Sequence, residues 1–191
     1  MNFKTISNWL KACLIALTLS LVACAVTGTS TFHTFTFDAL RDSKDVEVLQ
    51  YRYGDDGGFN TRSTQTEIQT AKISMGTHVA GVMVVGKDLY VKWRIKSTGQ
   101  ILEDTVDLRS RLPLSINKHQ LRFIIEDKQL FVYLISYEPV RPYFSQAEAD
   151  RIRLSHVTLR QKAFDFSLRN RVTLIYPEKQ IDPHVPADFR K

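Results

Sequence analysis

The stretch that most constrains this chain runs from Leu89 to Ser136 and reads as two consecutive β-hairpins. Leu89, Val91, Trp93 and Ile95 alternate with Tyr90, Lys92, Arg94 and Lys96, the period of two expected of a strand with one buried face. Ser97-Thr98-Gly99-Gln100 marks the turn, with Gly99 supplying the positive φ that tight turns need. The return strand is Ile101 to Leu108. A two-residue loop at Thr98-Gly99 would set Leu89, Val91 and Ile95 opposite Leu108, Val106 and Leu102, and Arg94 opposite Glu103. A three-residue loop would instead turn Glu103, Thr105 and Asp107 onto the apolar face, because a one-residue slip exchanges the faces. The two-residue register is therefore expected. It leaves Asp104 on the apolar face beside Trp93, where a carboxylate needs a partner or a place at the rim.

The second hairpin joins His119–Glu126 to Gln129–Ser136 through Asp127-Lys128. It pairs Leu121, Phe123 and Ile125 with Leu134, Val132 and Leu130. Its other face carries Ile124, Phe131, Tyr133 and Ile135, so cover on both sides and a central position are expected.

Shorter signals flank this pair. Thr31 to Phe37 suggests a first strand with His33, Phe35 and Phe37 on one face. Asp45 to Tyr53 suggests a second, with Val46 and Val48 in phase and Tyr51 and Tyr53 one step out. Gly54-Asp55-Asp56-Gly57-Gly58 reads as a loop, its acids lacking the spread of an EF-hand. Asn60 to Thr70 is polar and reads as an exposed connection or edge. His78 to Val85 is apolar on both faces and reads as a buried strand. Beyond Ser136, Pro139 and Pro142 end the sheet pattern, and Ser145-Gln146-Ala147-Glu148 is a capping box starting a short helix to about Leu154. Phe164, Phe166 and Leu168 then match Val172, Leu174 and Tyr176 as a last hairpin, before a proline-containing irregular tail over 177–191.

The fold class expected is mainly β: seven to nine antiparallel strands in a sandwich or partly open barrel, with one short late helix. One β-rich domain would occupy residues 31–176.

The N-terminus has a different character. Lys4 and Lys11 precede or open an apolar run from Ala12 to Val22, eleven residues long, where a membrane-spanning helix needs about 20. The run closes on Leu21-Val22-Ala23-Cys24. This segment resembles the lipobox of bacterial lipoproteins, with an aliphatic residue three before a cysteine and a small one just before it. The resemblance implies that residues 1–23 are a signal peptide cleaved before Cys24. It further implies a diacylglycerol on the Cys24 thiol, an acyl chain on the new amino group, and a lipidated tether over 24–30. Cysteine usage agrees, since the only other cysteine, Cys13, lies inside the signal. More than one acyl chain satisfies what stable anchoring requires. Ala25 is not the aspartate that marks inner-membrane retention in such proteins, so the resemblance places the anchor in the outer membrane, facing the periplasm. The six residues Ala25 to Ser30 reach about 20 Å at full extension, which keeps the body near the membrane.

Composition narrows the partners. The whole chain carries 26 basic and 20 acidic residues, and losing Lys4 and Lys11 with the signal leaves a net charge of about +4. That balance does not suggest a nucleic-acid binder, and an envelope address argues against one. His33, His78, His119, His156 and His184 are never spaced as a two-ligand pair, and no cysteine remains to join them, so no metal or cofactor is expected. No catalytic signature is present and no catalytic residue is assigned.

Two surfaces are candidates for recognition. One is the polar face Tyr90, Lys92, Arg94, Glu103 and Asp107, the pattern of a solvated face with cross-strand ion pairs. The other, taken as the partner-binding candidate, is the basic and aromatic segment Arg141, Tyr143, Phe144, Arg151 and Arg153, built from residue types that dominate interface hot spots. The function expected is an outer-membrane-anchored, non-enzymatic protein-interaction module. A narrower alternative is an immunity-type lipoprotein neutralising a periplasm-targeted toxin. A third is a hydrolase assembled from scattered residues, which would set a histidine within hydrogen-bond reach of Asp104 or another carboxylate.

Overall fold

The computed structural model describes residues 29–55, 60–139 and 170–177. In chain order these form β1 (Ser30–Asp38), α1 (Ala39–Asp42), β2 (Val46–Tyr53), α2 (Gln65–Thr70), β3 (Gly76–Val84), β4 (Asp88–Ile95), β5 (Ile101–Asp107), β6 (His119–Glu126), β7 (Gln129–Pro139) and β8 (Asn170–Tyr176). Two sheets pack face to face, a five-stranded one in the order β3-β1-β6-β7-β8 and a three-stranded one in the order β2-β4-β5. The architecture is a mainly β sandwich with little helix and no closed barrel. Pairing is antiparallel except between β1 and β6, which run parallel with His33 opposite His119.

The core is the apolar half of each alternation. Phe35 and Phe37 of β1 and Phe123 of β6 face Tyr51 and Tyr53 of β2, all buried. The Phe35 and Tyr53 rings stack at 5.0 Å, and those of Phe37 and Phe123 at 4.5 Å. Leu89, Val91, Trp93 and Ile95 close the core from β4. Each such side chain contributes about 1.5–3 kcal/mol by leaving water.

The hairpin β6–β7 has the expected register, with Leu121 opposite Leu134, Phe123 opposite Val132 and Ile125 opposite Leu130. Its second face is buried too, Ile124, Tyr133 and Ile135 being almost wholly inaccessible. Residues 164–168 lie outside the described residues, and β8 pairs with β7.

The hairpin β4–β5 departs from its expected register by two residues. Trp93 faces Leu102, Val91 faces Asp104 and Leu89 faces Val106, while Glu103 faces Lys92 rather than Arg94. The turn takes four residues, Lys96 to Gly99, closed by Ile95 N–H donating to the Gln100 carbonyl at 2.9 Å. Gly99 does adopt a positive φ of 71°. An even shift preserves the faces, so the apolar side still looks inward.

Three further corrections have clear causes. β3 is not buried: it is the outermost strand of its sheet, with Val82 74% exposed. Its apolar composition suggested two covered faces, but only Val79 and its alternates look toward the core. Within the polar stretch Asn60–Thr70, residues 65–70 form α2, held by a capping box in which Thr64 accepts from Glu67 N–H and the Glu67 carboxylate accepts from Thr64 N–H. None of α2 is buried, whereas Thr61 and Ser63 just before it are, bonded along the edge of β2. Tyr176 does not share a face with Leu174. A register shift between Val132 and Tyr133 inserts Ile175, and Tyr176 turns toward the inner face. A similar irregularity between Val48 and Gln50 explains why Tyr51 and Tyr53 follow Val46 and Val48 out of step. The helix expected over residues 146–154 and residues 24–28 of the tether, Cys24 included, lie outside the described residues, while Ser30 at the end of the expected tether already belongs to β1.

Candidate functional site

The outer face of β2, β4 and β5 is a ladder of paired charges. Arg94 of β4 meets Glu47 of β2 at 2.8 Å, Lys92 meets Glu103 of β5 at 3.7 Å, and Arg52 meets Asp88 at 3.4 Å. The Tyr90 hydroxyl donates to Glu103 at 2.9 Å. Partial burial first, then the Glu103 carboxylate, pushes that phenol up to about 12. Asp107 binds the Arg109 guanidinium at 2.8 Å, and these hydrogen bonds hold its carboxyl down at about 2. Exposed pairs of the Lys92–Glu103 kind contribute about 0–1 kcal/mol each. The face is internally neutralised, so it offers a charged ligand little net field.

Asp104 has found both a rim and a partner. It is half-buried, and the Tyr176 hydroxyl donates to its Oδ2 at 2.7 Å. The bond ties β5 to β8, joining one edge of each sheet. Arg111 sits 5.4 Å over the Tyr176 ring and donates to the Ile175 carbonyl, which completes the tie. Burial and then the Asp104 bond raise the Tyr176 pKa.

His33 is buried in the core. Its Nδ1 lies 3.0 Å from the Thr31 carbonyl and its Nε2 lies 3.0 Å from the Tyr53 hydroxyl. A carbonyl only accepts, so Nδ1 carries the proton and Nε2 accepts from Tyr53. Desolvation lowers the pKa of this imidazole and raises that of Tyr53 to about 12, so both stay neutral. His119 bonds the Asn117 carbonyl, and His78 is exposed on β3. Asp104 and the described histidines thus belong to separate interactions. Among the described residues, no group of three potential metal ligands converges.

The sequence reading missed a buried ion pair between Asp42, the last residue of α1, and Arg122 of β6, whose side chains are 1% and 6% exposed. Burial raises the Asp42 pKa, and the Arg122 charge and hydrogen bond oppose that rise. The pair fastens α1 over the outer face of β6, beside Ser43, whose hydroxyl accepts from Ile125 N–H. A charged residue between Leu121 and Phe123 was the available signal, although nothing local pointed to a partner 80 positions away.

The sheet edges differ from one another. The free side of β2 is bonded by the following segment, Tyr53 N–H donating to Thr61 and Ser63 N–H to Tyr51. β5 carries Glu103, Asp104 and Asp107 along its length, and β8 carries Arg171. Among the described residues β3 has neither protection. Between Lys72 and Lys87 the chain holds no Asp, Glu, Lys or Arg, and no Pro. Among the described residues no strand pairs with the outer side of β3. Val82 and the neighbouring Phe32 of β1 are 74% and 46% exposed on the outward face. Natural edge strands of this length are normally blunted by charge, proline or a covering segment. β3 is the surface that charge counting along the sequence could have found.

Arg141, Tyr143, Phe144, Arg151 and Arg153 lie outside the described residues, as does Cys24. No protein-family model, curated protein or solved structure matches the chain.

Proposed function

We propose that this chain is a lipoprotein anchored through Cys24 in the outer membrane, where its sandwich acts as a non-enzymatic protein-interaction module in the periplasm. The observation that carries the interaction reading is the edge of β3, nine residues whose outer side no described strand pairs, with Ala80 and Val82 exposed beside Phe32. Such an edge accepts an extended segment of another protein as an added strand, main-chain hydrogen bonds supplying affinity and alternate side chains specificity. Phe32 and Val82 are placed to receive apolar side chains of that segment. The anchoring half of the reading rests on Leu21-Val22-Ala23-Cys24 and on the entry of the chain into β1 six residues after Cys24. The segment from Arg141 to Arg153 is a second candidate contact.

The test places a photo-crosslinking amino acid at Ala80, which faces outward on β3, in the full chain in its own envelope. A single crosslinked partner is expected, lost when Val82→Lys puts a charge on the edge and the amount of membrane-held protein is unchanged. Equal crosslinking in the Val82→Lys variant, or none at Ala80, would remove β3 as the binding surface.

A further inference from the structure

The end of the sandwich where β1 begins also carries the connection between β5 and β6, residues 108–118. Thr29, Thr31 and Val85 form one wall of a groove of about 210 Å³, and Pro113 and Leu114 form the other. The connection is pinned at both ends. Leu108 and Ile116 are buried, Leu112 N–H donates to the Leu108 carbonyl at 3.0 Å, and Lys118 N–H donates to the Phe32 carbonyl at 2.9 Å. Between these fixed points Leu114 stands fully exposed, at 106% of its reference area. Arg109, Arg111 and Lys118 lie in the same connection, which contains no acid. Arg109 is shared with Asp107, and Arg111 covers Tyr176. The turns at the opposite end of β4–β5 and β6–β7, Lys96 to Gly99 and Asp127-Lys128, offer no apolar tip.

We infer that the 108–118 connection docks on the bilayer, inserting Leu114 at the membrane–water interface. The inference rests on the lipoprotein reading of Cys24. Its geometric support is the chain length: Cys24 precedes Thr29 by five residues, which span at most about 18 Å. Thr29 lines the same groove as Leu114, so a lipid on Cys24 holds this end of the domain against the membrane. An apolar tip flanked by Lys and Arg is the residue chemistry of interfacial binding. The bilayer is favoured as the occupant because a lipid on Cys24 keeps this end of the domain within about 18 Å of it at all times.

The experiment uses the full chain purified from membranes and reconstituted into phosphatidylethanolamine–phosphatidylglycerol vesicles, some with dibrominated acyl chains. Leu114→Trp adds an indole where the side chain is fully exposed; of the two native tryptophans Trp9 leaves with the signal peptide in the processed chain, and Trp93 is buried and gives the background. Docking predicts blue-shifted emission from the added tryptophan and its loss in the brominated vesicles, with the wild type unaffected. Unquenched emission from a chain that floats with the vesicles and carries lipid on Cys24 overturns the docking and leaves the anchor intact. A blue shift without quenching assigns Leu114 to a protein contact and overturns it equally. A chain that neither floats nor carries lipid on Cys24 defeats the lipoprotein reading and the docking together.

Discussion

The two central hairpins share an alternating apolar inner face, yet their outer faces differ completely. On β6–β7 the outward side chains Ile124, Tyr133 and Ile135 are as buried as the inward ones. On β4–β5 they are Tyr90, Lys92, Arg94 and Glu103, exposed or half-exposed and paired across strands. The hairpin β6–β7 is a partition inside the molecule and β4–β5 is a wall facing water. A strand buried on both faces loses packing whichever side is altered, while a wall tolerates change on its wet side.

That contrast can be broken by substitution. Ile124→Ala on the outer face of β6 is expected to cost about 2–5 kcal/mol, the range for truncating a buried aliphatic side chain. Urea unfolding monitored by Trp93 fluorescence measures it, and a cost under about 0.5 kcal/mol would class that face with ordinary surface. Lys92→Ala on the outer face of β4 is expected to cost less than about 1 kcal/mol, since its Glu103 partner is solvated. High salt should shrink even that difference, and a salt-insensitive loss of several kcal/mol would mean that the wall is covered.

The same two hairpins explain what was legible in the sequence. Both apolar faces were readable because alternation records which side chains point inward. The register of β6–β7 was readable because the polar break Glu126 to Gln129 is centred on Asp127-Lys128, so loops of two and of four residues give the same pairing, and Asp127 takes the positive φ the tight turn needs. The register of β4–β5 was not, because Lys96 to Gln100 is polar throughout and accommodates loops of two or four residues with the same faces. Parity is written in the pattern, and register is written in the turn. Two further features escaped because they depend on distant partners: Asp42 with Arg122, and Asp104 with Tyr176 of β8. The exposure of β3 escaped for a related reason. An apolar run such as Val79 to Val85 has the same composition at an edge as in the middle, and only the order of strands distinguishes them. Thr64-Gln65-Thr66-Glu67, by contrast, was a legible capping box that the polarity of its surroundings concealed.

The bare edge of β3 and the exposed Leu114 acquire their proposed meaning from one premise, that Cys24 is lipidated and holds the domain at a membrane. Replacing Cys24 with alanine and fractionating the envelope tests that premise most directly. The account predicts that the wild type sediments with outer membrane after a salt wash and that Cys24→Ala moves to the soluble periplasm. A Cys24→Ala protein that still sediments with the washed outer membrane would contradict it.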